Sequence, residues 1–177
     1  YDGIPFQWSV HVIQALGAAP EHRQFLADRD TDPRRRFLET LIPAVGETGP
    51  IVVYNARFEG QHLDTLGLTL PDLAPAAARI RARLWDLLPV VRQHVYHPEF
   101  RGSFSLKRVL PAVVPALAYE GLEVAEGSAA GPVWDLLVRG HPDPAEAARL
   151  EAALREYCRR DTLGMVELVR ALRESAV

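Results

Sequence analysis

Between Phe6 and Val12 the apolar residues Phe6, Trp8 and Val10 alternate with Gln7, Ser9 and His11. A period of two is the mark of a strand with one covered face, because successive side chains point to opposite sides. The stretch Gly17-Ala18-Ala19-Pro20 signals a turn, after which His22 to Leu26 is predicted to return as the hairpin partner.

The period changes after Asp32-Pro33, a helix start that combines a capping acid with proline at the first helical position. Phe37, Leu38, Leu41, Ile42 and Val45 follow at helical spacing, and Gly46 with Gly49-Pro50 should stop that helix. Ile51 to Tyr54 is then a short, continuous and mostly β-branched run, the pattern of an internal strand buried on both faces.

Helical spacing returns with Phe58, Leu63 and Leu66, and again with Leu73, Ala77, Ile80 and Leu84, while Asp86 should open another short element. Ser105 is placed to cap a helix through Val109 and Leu110, and Pro111 and Pro115 predict a rigid irregular passage. Trp134, Leu137 and Val138 suit one further helix. Asp143-Pro144 repeats the cap-plus-proline start, and Leu150, Leu154, Tyr157, Asp161, Met165, Leu168 and Leu172 form a single face on a last helix, straight or kinked. The succession predicts one α/β domain over residues 1–177 with a mixed sheet.

Composition alters this picture little. The 177 residues are 48% apolar and 24% charged, so a packed core is expected, and no apolar run approaches the roughly 20 residues of a membrane span. Cys158 is the only cysteine, which excludes an intrachain disulfide and points to a reducing cytoplasm. A net charge of −3 argues against binding duplex nucleic acid through overall charge, although local basic patches remain open. The chain starts at Tyr1 rather than methionine, and is read as part of a longer polypeptide.

Asp161 is the oddest residue, a carboxylate within an apolar helical stripe. A buried carboxylate is costly unless it is paired or bound to metal, so either an arginine or a cation should accompany it. Tyr157 lies one turn earlier on the same face, where its hydroxyl could share a water with the acid. Glu59 follows the buried strand at the start of a helix, where α/β proteins place ligands. It is either an ordinary first-turn acid favoured by the helix dipole or a site residue, with Asn55 bracing the turn. His11, His94 and His97 show no zinc-ligand spacing and read as structural or substrate-facing, and Gly102 to Lys107 lacks the spacing of a phosphate loop.

Tyr54-Asn55-x-x-Phe58-Glu59 together with Tyr157-x-x-x-Asp161 resembles the later motifs of DEDD-type 3′-5′ exonucleases, in the tyrosine branch of the DnaQ-like, RNase H-like group. The resemblance implies an RNase H-like mixed sheet flanked by helices, in which four carboxylates hold two Mg²⁺ or Mn²⁺ ions and hydrolyse phosphodiesters of single-stranded nucleic acid. It assigns Glu59 and Asp161 as metal ligands, with Glu59 replacing the usual aspartate, and Tyr157 as the residue that orients water. Phe58, Asn55, Asp86, Ser105 and Lys107 become supporting or substrate-binding positions, Asp86 in a structural role. Ile4 to His11, Tyr54 to Glu59, Gly102 to Pro111 and Tyr157 to Thr162 also resemble the motifs of an uncharacterised bacterial domain family similar to these enzymes, often with a nuclease-like region upstream. On that resemblance the first strand, bearing an Asp-x-Glu pair, is expected just before Tyr1, and Asp2 does not replace it. A catalytically inactive nucleic-acid-binding or interaction scaffold is the alternative.

Overall fold

The computed structural model describes residues 3–15, 17–119, 121–124 and 127–175, with the side chains of 127, 128 and 175 left aside. What was expected of Tyr1 and Asp2 lies outside those residues. The chain is a mixed α/β structure, with four short strands in two separate two-stranded ribbons and seven α-helices among the described residues.

The first ribbon is the hairpin read from the alternating pattern. Strand β1 (Gln7–Val12) pairs antiparallel with β2 (Glu21–Leu26) from Gln7 opposite Leu26 to Val12 opposite Glu21. Trp8 and Val10 join the apolar cluster of helix α1 (Arg34–Val45), where Leu38 is fully buried. Gln7, Ser9 and His11 face the other way, onto the last helix. Helix α1 starts one residue later than the motif suggested. Pro33 is the cap and the Asp32 carboxylate accepts the Arg34 amide at 3.0 Å, while Gly46 (φ 60°) ends the helix as expected.

The second ribbon corrects two expectations. Strand β3 covers only Ile51–Val53, so Tyr54 lies beyond it. It pairs on one side alone among the described residues, in parallel with β4 (Leu84–Asp86). Leu84 therefore belongs to a strand and not to the preceding helix, because Arg83 intervenes. Its guanidinium donates to the carbonyls of Val45, Gly46, Thr48 and Gly49 at 2.5–3.0 Å, fastening the α1–β3 loop beside the start of β4. Helices α2 (Ala56–Thr69) and α3 (Ala74–Ala82) form the connection between the two parallel strands, burying Leu63, Leu66, Ala77 and Ile80 in the α1 cluster. Phe58, expected on that covered face, is 60% exposed instead.

After β4 come α4 (Leu87–His94), a 3₁₀ turn at Pro98–Phe100, α5 (Leu106–Val113), a second such turn at Pro115–Leu117, α6 (Gly127–Arg139) and α7 (Pro144–Ser175). Pro111 lies inside α5 and does not break it. Ser105 occupies the cap position of α5, yet its hydroxyl does not cap the helix among the described residues. Asp143 does cap α7, accepting the amides of Ala145 and Glu146 at 2.9 Å.

Helix α7 ties the ribbons together. At 1.5 Å per residue its 32 residues span roughly 48 Å. Leu150 and Leu154 pack with Leu26 beneath the hairpin, while Leu168 packs with Leu87, Val91 and Val109 beside β3. Both ribbons thus lie between the α1–α3 side and the α7 side. Midway, Gly164 lets α5 approach, since a Cβ there would meet Leu110 Cδ2 at 2.3 Å. Alanine normally improves a helix interior by about 1 kcal/mol over glycine, but crowding a packed core costs about 1–3 kcal/mol. Gly164→Ala should therefore lower urea-unfolding stability by about 1 kcal/mol, whereas a gain would mean that Leu110 yields freely.

Candidate functional site

Asn55 takes a left-handed conformation (φ 78°, ψ 67°) between β3 and α2, a region that asparagine tolerates better than most residues. Its side chain does not cap α2 among the described residues. The Asp86 carboxylate braces this turn. It accepts the amides of Asn55 and Ala56 at 2.9 and 3.0 Å and also caps α4 through Leu88 at 3.0 Å. One acid at the end of β4 therefore fixes the ends of two helices. Tyr54 adds a tie, its hydroxyl donating to the Phe104 carbonyl at 2.7 Å, and burial pushes its pKa up to about 12.

This bracing places Glu59 in the first turn of α2 with its carboxylate turned inward. Its Oε2 is buried and lacks a hydrogen-bond partner among the described residues, which a merely dipole-stabilised surface acid would not show. Burial pushes its pKa up to about 7, and the nearby charge of Asp86 adds to the rise. Phe58 beside it stacks loosely on His62, ring centroids 4.5 Å apart, and stays open to solvent.

Asp161 is satisfied differently. Tyr119 donates to its Oδ1 at 2.5 Å, and the Tyr157 hydroxyl is near enough to the same carboxylate to act on its pKa. Burial raises the Asp161 pKa, while hydrogen bonds from Tyr119 and Tyr157 and the charge of Lys107 hold it back. Burial and the neighbouring aspartate push both tyrosines well above their ordinary range. The Lys107 ammonium lies 4.5 Å from the Tyr157 ring centroid and 5.2 Å from that of Tyr119. The hydrogen-bond partner of Asp161 is thus Tyr119, with Tyr157 and the Lys107 charge acting on its pKa, and not the arginine of the simple ion-pair reading. Tyr119 had no signal in the sequence, since it stands in an irregular passage without periodicity.

The early and late motifs meet next to this group. Thr162 Oγ1 lies 2.9 Å from both Ser9 Oγ and His11 Nδ1, and Ser9 Oγ lies 2.9 Å from His22 Nε2. The two imidazoles stack at 4.6 Å. Desolvation, the facing His22 and Arg159 lower the His11 pKa to about 4, and desolvation followed by Arg159 lowers that of His22. His11 is thereby structural in its contacts. His97 caps the Pro98–Phe100 turn by accepting the Glu99 amide. His94 is the last residue of α4.

Glu59, Asp161, Tyr157, Lys107, Asn55, Phe58 and Ser105 all line one groove of about 1930 Å³, which Asp86 does not reach. Two buried carboxylates with raised pKa values are the hard oxygen donors that Mg²⁺ or Mn²⁺ prefers. Their number falls short. Among the described residues no three His, Cys, Asp or Glu side chains are grouped so as to hold a metal ion.

No helix among the described residues is long and apolar enough to cross a membrane. No curated protein and no solved structure matches the chain. The family model of DUF2779, a domain of unknown function, matches residues 1–105, a stretch that contains Ser9, His11, Glu59 and Asp86 and stops short of Asp161. By that match over more than half its length, the chain belongs to the DUF2779 family.

Proposed function

We propose that this chain is the greater part of an RNase H-like, DEDD-type exonuclease domain that hydrolyses single-stranded nucleic acid with Mg²⁺ or Mn²⁺. The observation that supports it most is Glu59, a buried acid with an unpartnered oxygen, in the same groove as the Tyr157–Asp161 pair. The Glu59 Oε2 has no hydrogen-bond partner among the described residues, and a buried acid oxygen without one opposes folding. Lys107 and Arg92 line that groove with the exposed ring of Phe58, a combination suited to a phosphate backbone and a stacked base.

The donor chemistry fits divalent cations, but the described carboxylates are too few for two of them. The reading requires further acids from polypeptide outside these residues. A cytoplasmic setting and a nuclease-like region in the same polypeptide belong to the same proposal. The second reading is an inactive scaffold, and the short hydrogen bond from Tyr119 to Asp161 favours it, because that acid has a partner without metal.

The purified 177-residue chain should accordingly show no turnover of end-labelled single-stranded DNA or RNA in Mn²⁺. Robust hydrolysis would show that Glu59 and Asp161 are not an incomplete metal shell.

A further inference from the structure

Three residues of the sequence motifs have no part in the metal reading, and the fold brings them together. Ser9 and His11 stand on β1, and Thr162 stands on α7, 153 and 151 residues further along, yet Thr162 Oγ1 lies 2.9 Å from both Ser9 Oγ and His11 Nδ1. Thr162 Oγ1 also lies 3.2 Å from the carbonyl oxygens of Cys158 and Arg159, which can only accept, so its one hydrogen is taken up inside α7. Its two lone pairs then receive Ser9 Oγ–H and His11 Nδ1–H, and Ser9 in turn accepts from His22 Nε2–H at 2.9 Å. No other arrangement makes every one of these contacts a hydrogen bond. Neutral His11 therefore carries its hydrogen on Nδ1 and neutral His22 on Nε2, and burial, which lowers both pKa values, keeps the pair uncharged at neutral pH.

The cluster sits where the orientation of α7 matters most. Packing of Leu150, Leu154 and Leu168 is non-directional and leaves a helix free to turn or slide slightly. Hydrogen bonds restrict both motions, because they weaken steeply with angle. Gln7 Nε2 donates to the Leu154 carbonyl at 2.7 Å. From Leu154 to Thr162 the helix rises about 12 Å, close to the roughly 13 Å from Gln7 to His11 along β1. Strand and helix are thus tied at both ends of the segment that carries Tyr157 and Asp161. Thr162 is the residue after Asp161, about 100° further round the axis. The tie to β1 and the 2.5 Å bond from Tyr119 to Asp161 therefore act in different directions and together define the rotation of that turn.

We propose that Ser9 and His11 are positioning residues, which act through Thr162 to hold the Asp161 carboxylate against Tyr119 and toward the groove. Their bearing on hydrolysis rests on the exonuclease reading of Asp161, whereas the link itself stands on the geometry of β1 and α7.

The Tyr119 hydroxyl proton of the 177-residue chain reports the link by NMR, since a short phenol–carboxylate bond moves that proton far downfield, and Tyr119→Phe identifies its resonance. Thr162→Val keeps the shape of the side chain and removes the hydroxyl, and the resonance should lose at least tenfold in intensity, as it should in His11→Leu. Thr162→Ser keeps the hydroxyl, and His11→Asn offers an Nδ2–H in place of Nδ1–H, so both should retain it. Thr40→Val is the control, because the Trp8 Nε1–H donates to Thr40 Oγ1 at 3.1 Å, a tie from the same strand to α1 instead of α7. That change should lower thermal stability and leave the resonance untouched. If Thr162→Val does not fold, Ser9→Ala takes its place and should weaken the resonance at least threefold. Absence of the resonance from the wild-type chain, wild-type intensity in the variants that remove the Thr162 hydroxyl or its donors, or an equal loss in Thr40→Val overturns the proposal. No metal or nucleic acid enters the measurement, so a chain that shows the expected pattern and cuts nothing keeps the link and loses the exonuclease reading.

Discussion

Glu59→Gln should stabilise the 177-residue chain by about 3 kcal/mol at pH 8, an unusual direction for a change at a partly buried position. Burial lifts the carboxyl from its ordinary 4.5 to about 7, and its Oε2 finds no partner among the described residues. Between those two pH values the folded chain holds a proton that the unfolded chain has released. The favourable contribution of neutral Glu59 is therefore present below pH 4.5 and lost as pH rises through about 7. Glutamine keeps the shape without the charge, so its advantage grows over that window and vanishes below it.

The histidines act in the opposite sense. His11, lowered from 6.5 to about 4, binds its proton in the unfolded chain first, so its contribution is present above 6.5 and lost as pH falls toward 4. His22 shifts in the same direction. In the wild-type chain the two slopes overlap and oppose, and the stability profile between pH 4.5 and 6.5 should be shallow. Urea unfolding of Glu59→Gln should uncover a profile that climbs with pH. Equal stability of the two proteins at pH 8 would show that Glu59 is solvated and belongs to an ordinary first turn.

Such an acid works against the fold, and its unpartnered oxygen could not be read from the sequence. Local signals read well where a short stretch determines its own conformation. The alternation from Trp8 to His11 gave a real strand, and Asp143-Pro144 gave a real helix start, because a pleat or a cap needs only neighbours. Leu84 misled because steps of four and three continue past Ala82, whereas the helix ends where Arg83 is bound by four carbonyls over thirty residues upstream. Phe58 misled because an apolar ring at helical spacing does not say whether anything packs on it.

The site was legible in its acids and not in their partners. Position alone left Glu59 and Asp161 open to ordinary structural roles, the resemblance of their paired motifs marked them as candidates, and the fold brings both to one groove. Tyr119 could not be found, since its link to Asp161 crosses 42 residues through a passage without periodicity. The meeting of Ser9, His11 and Thr162 was likewise hidden, although each stands in a motif that the sequence had marked. The single mixed sheet was expected from strand types, whereas the described strands form two separate two-stranded ribbons.

On the proposed exonuclease reading, in a longer polypeptide that supplies further acids, Asp161→Asn should reduce hydrolysis of single-stranded nucleic acid by at least about 10³-fold, since two-metal hydrolysis depends on its charged ligands. The fold should survive, because the asparagine carbonyl can still accept from Tyr119 and the change loses only a charge that burial disfavours. Tyr157→Phe should cost about 10²-fold, the lower range for a group that positions or exchanges a proton, because the ring keeps its place under Lys107 and only the hydroxyl goes. Tyr119→Phe separates positioning from chemistry. It frees Asp161 from its short bond, so Mn²⁺ affinity should rise or hold while turnover changes less than in Tyr157→Phe. Turnover should be read with Mn²⁺ affinity and thermal unfolding for all three proteins. If Asp161→Asn unfolds the chain and Tyr157→Phe leaves the rate unchanged, then Asp161 is a buried structural acid held by tyrosines. The DUF2779 chain is in that case a scaffold whose groove binds without cutting.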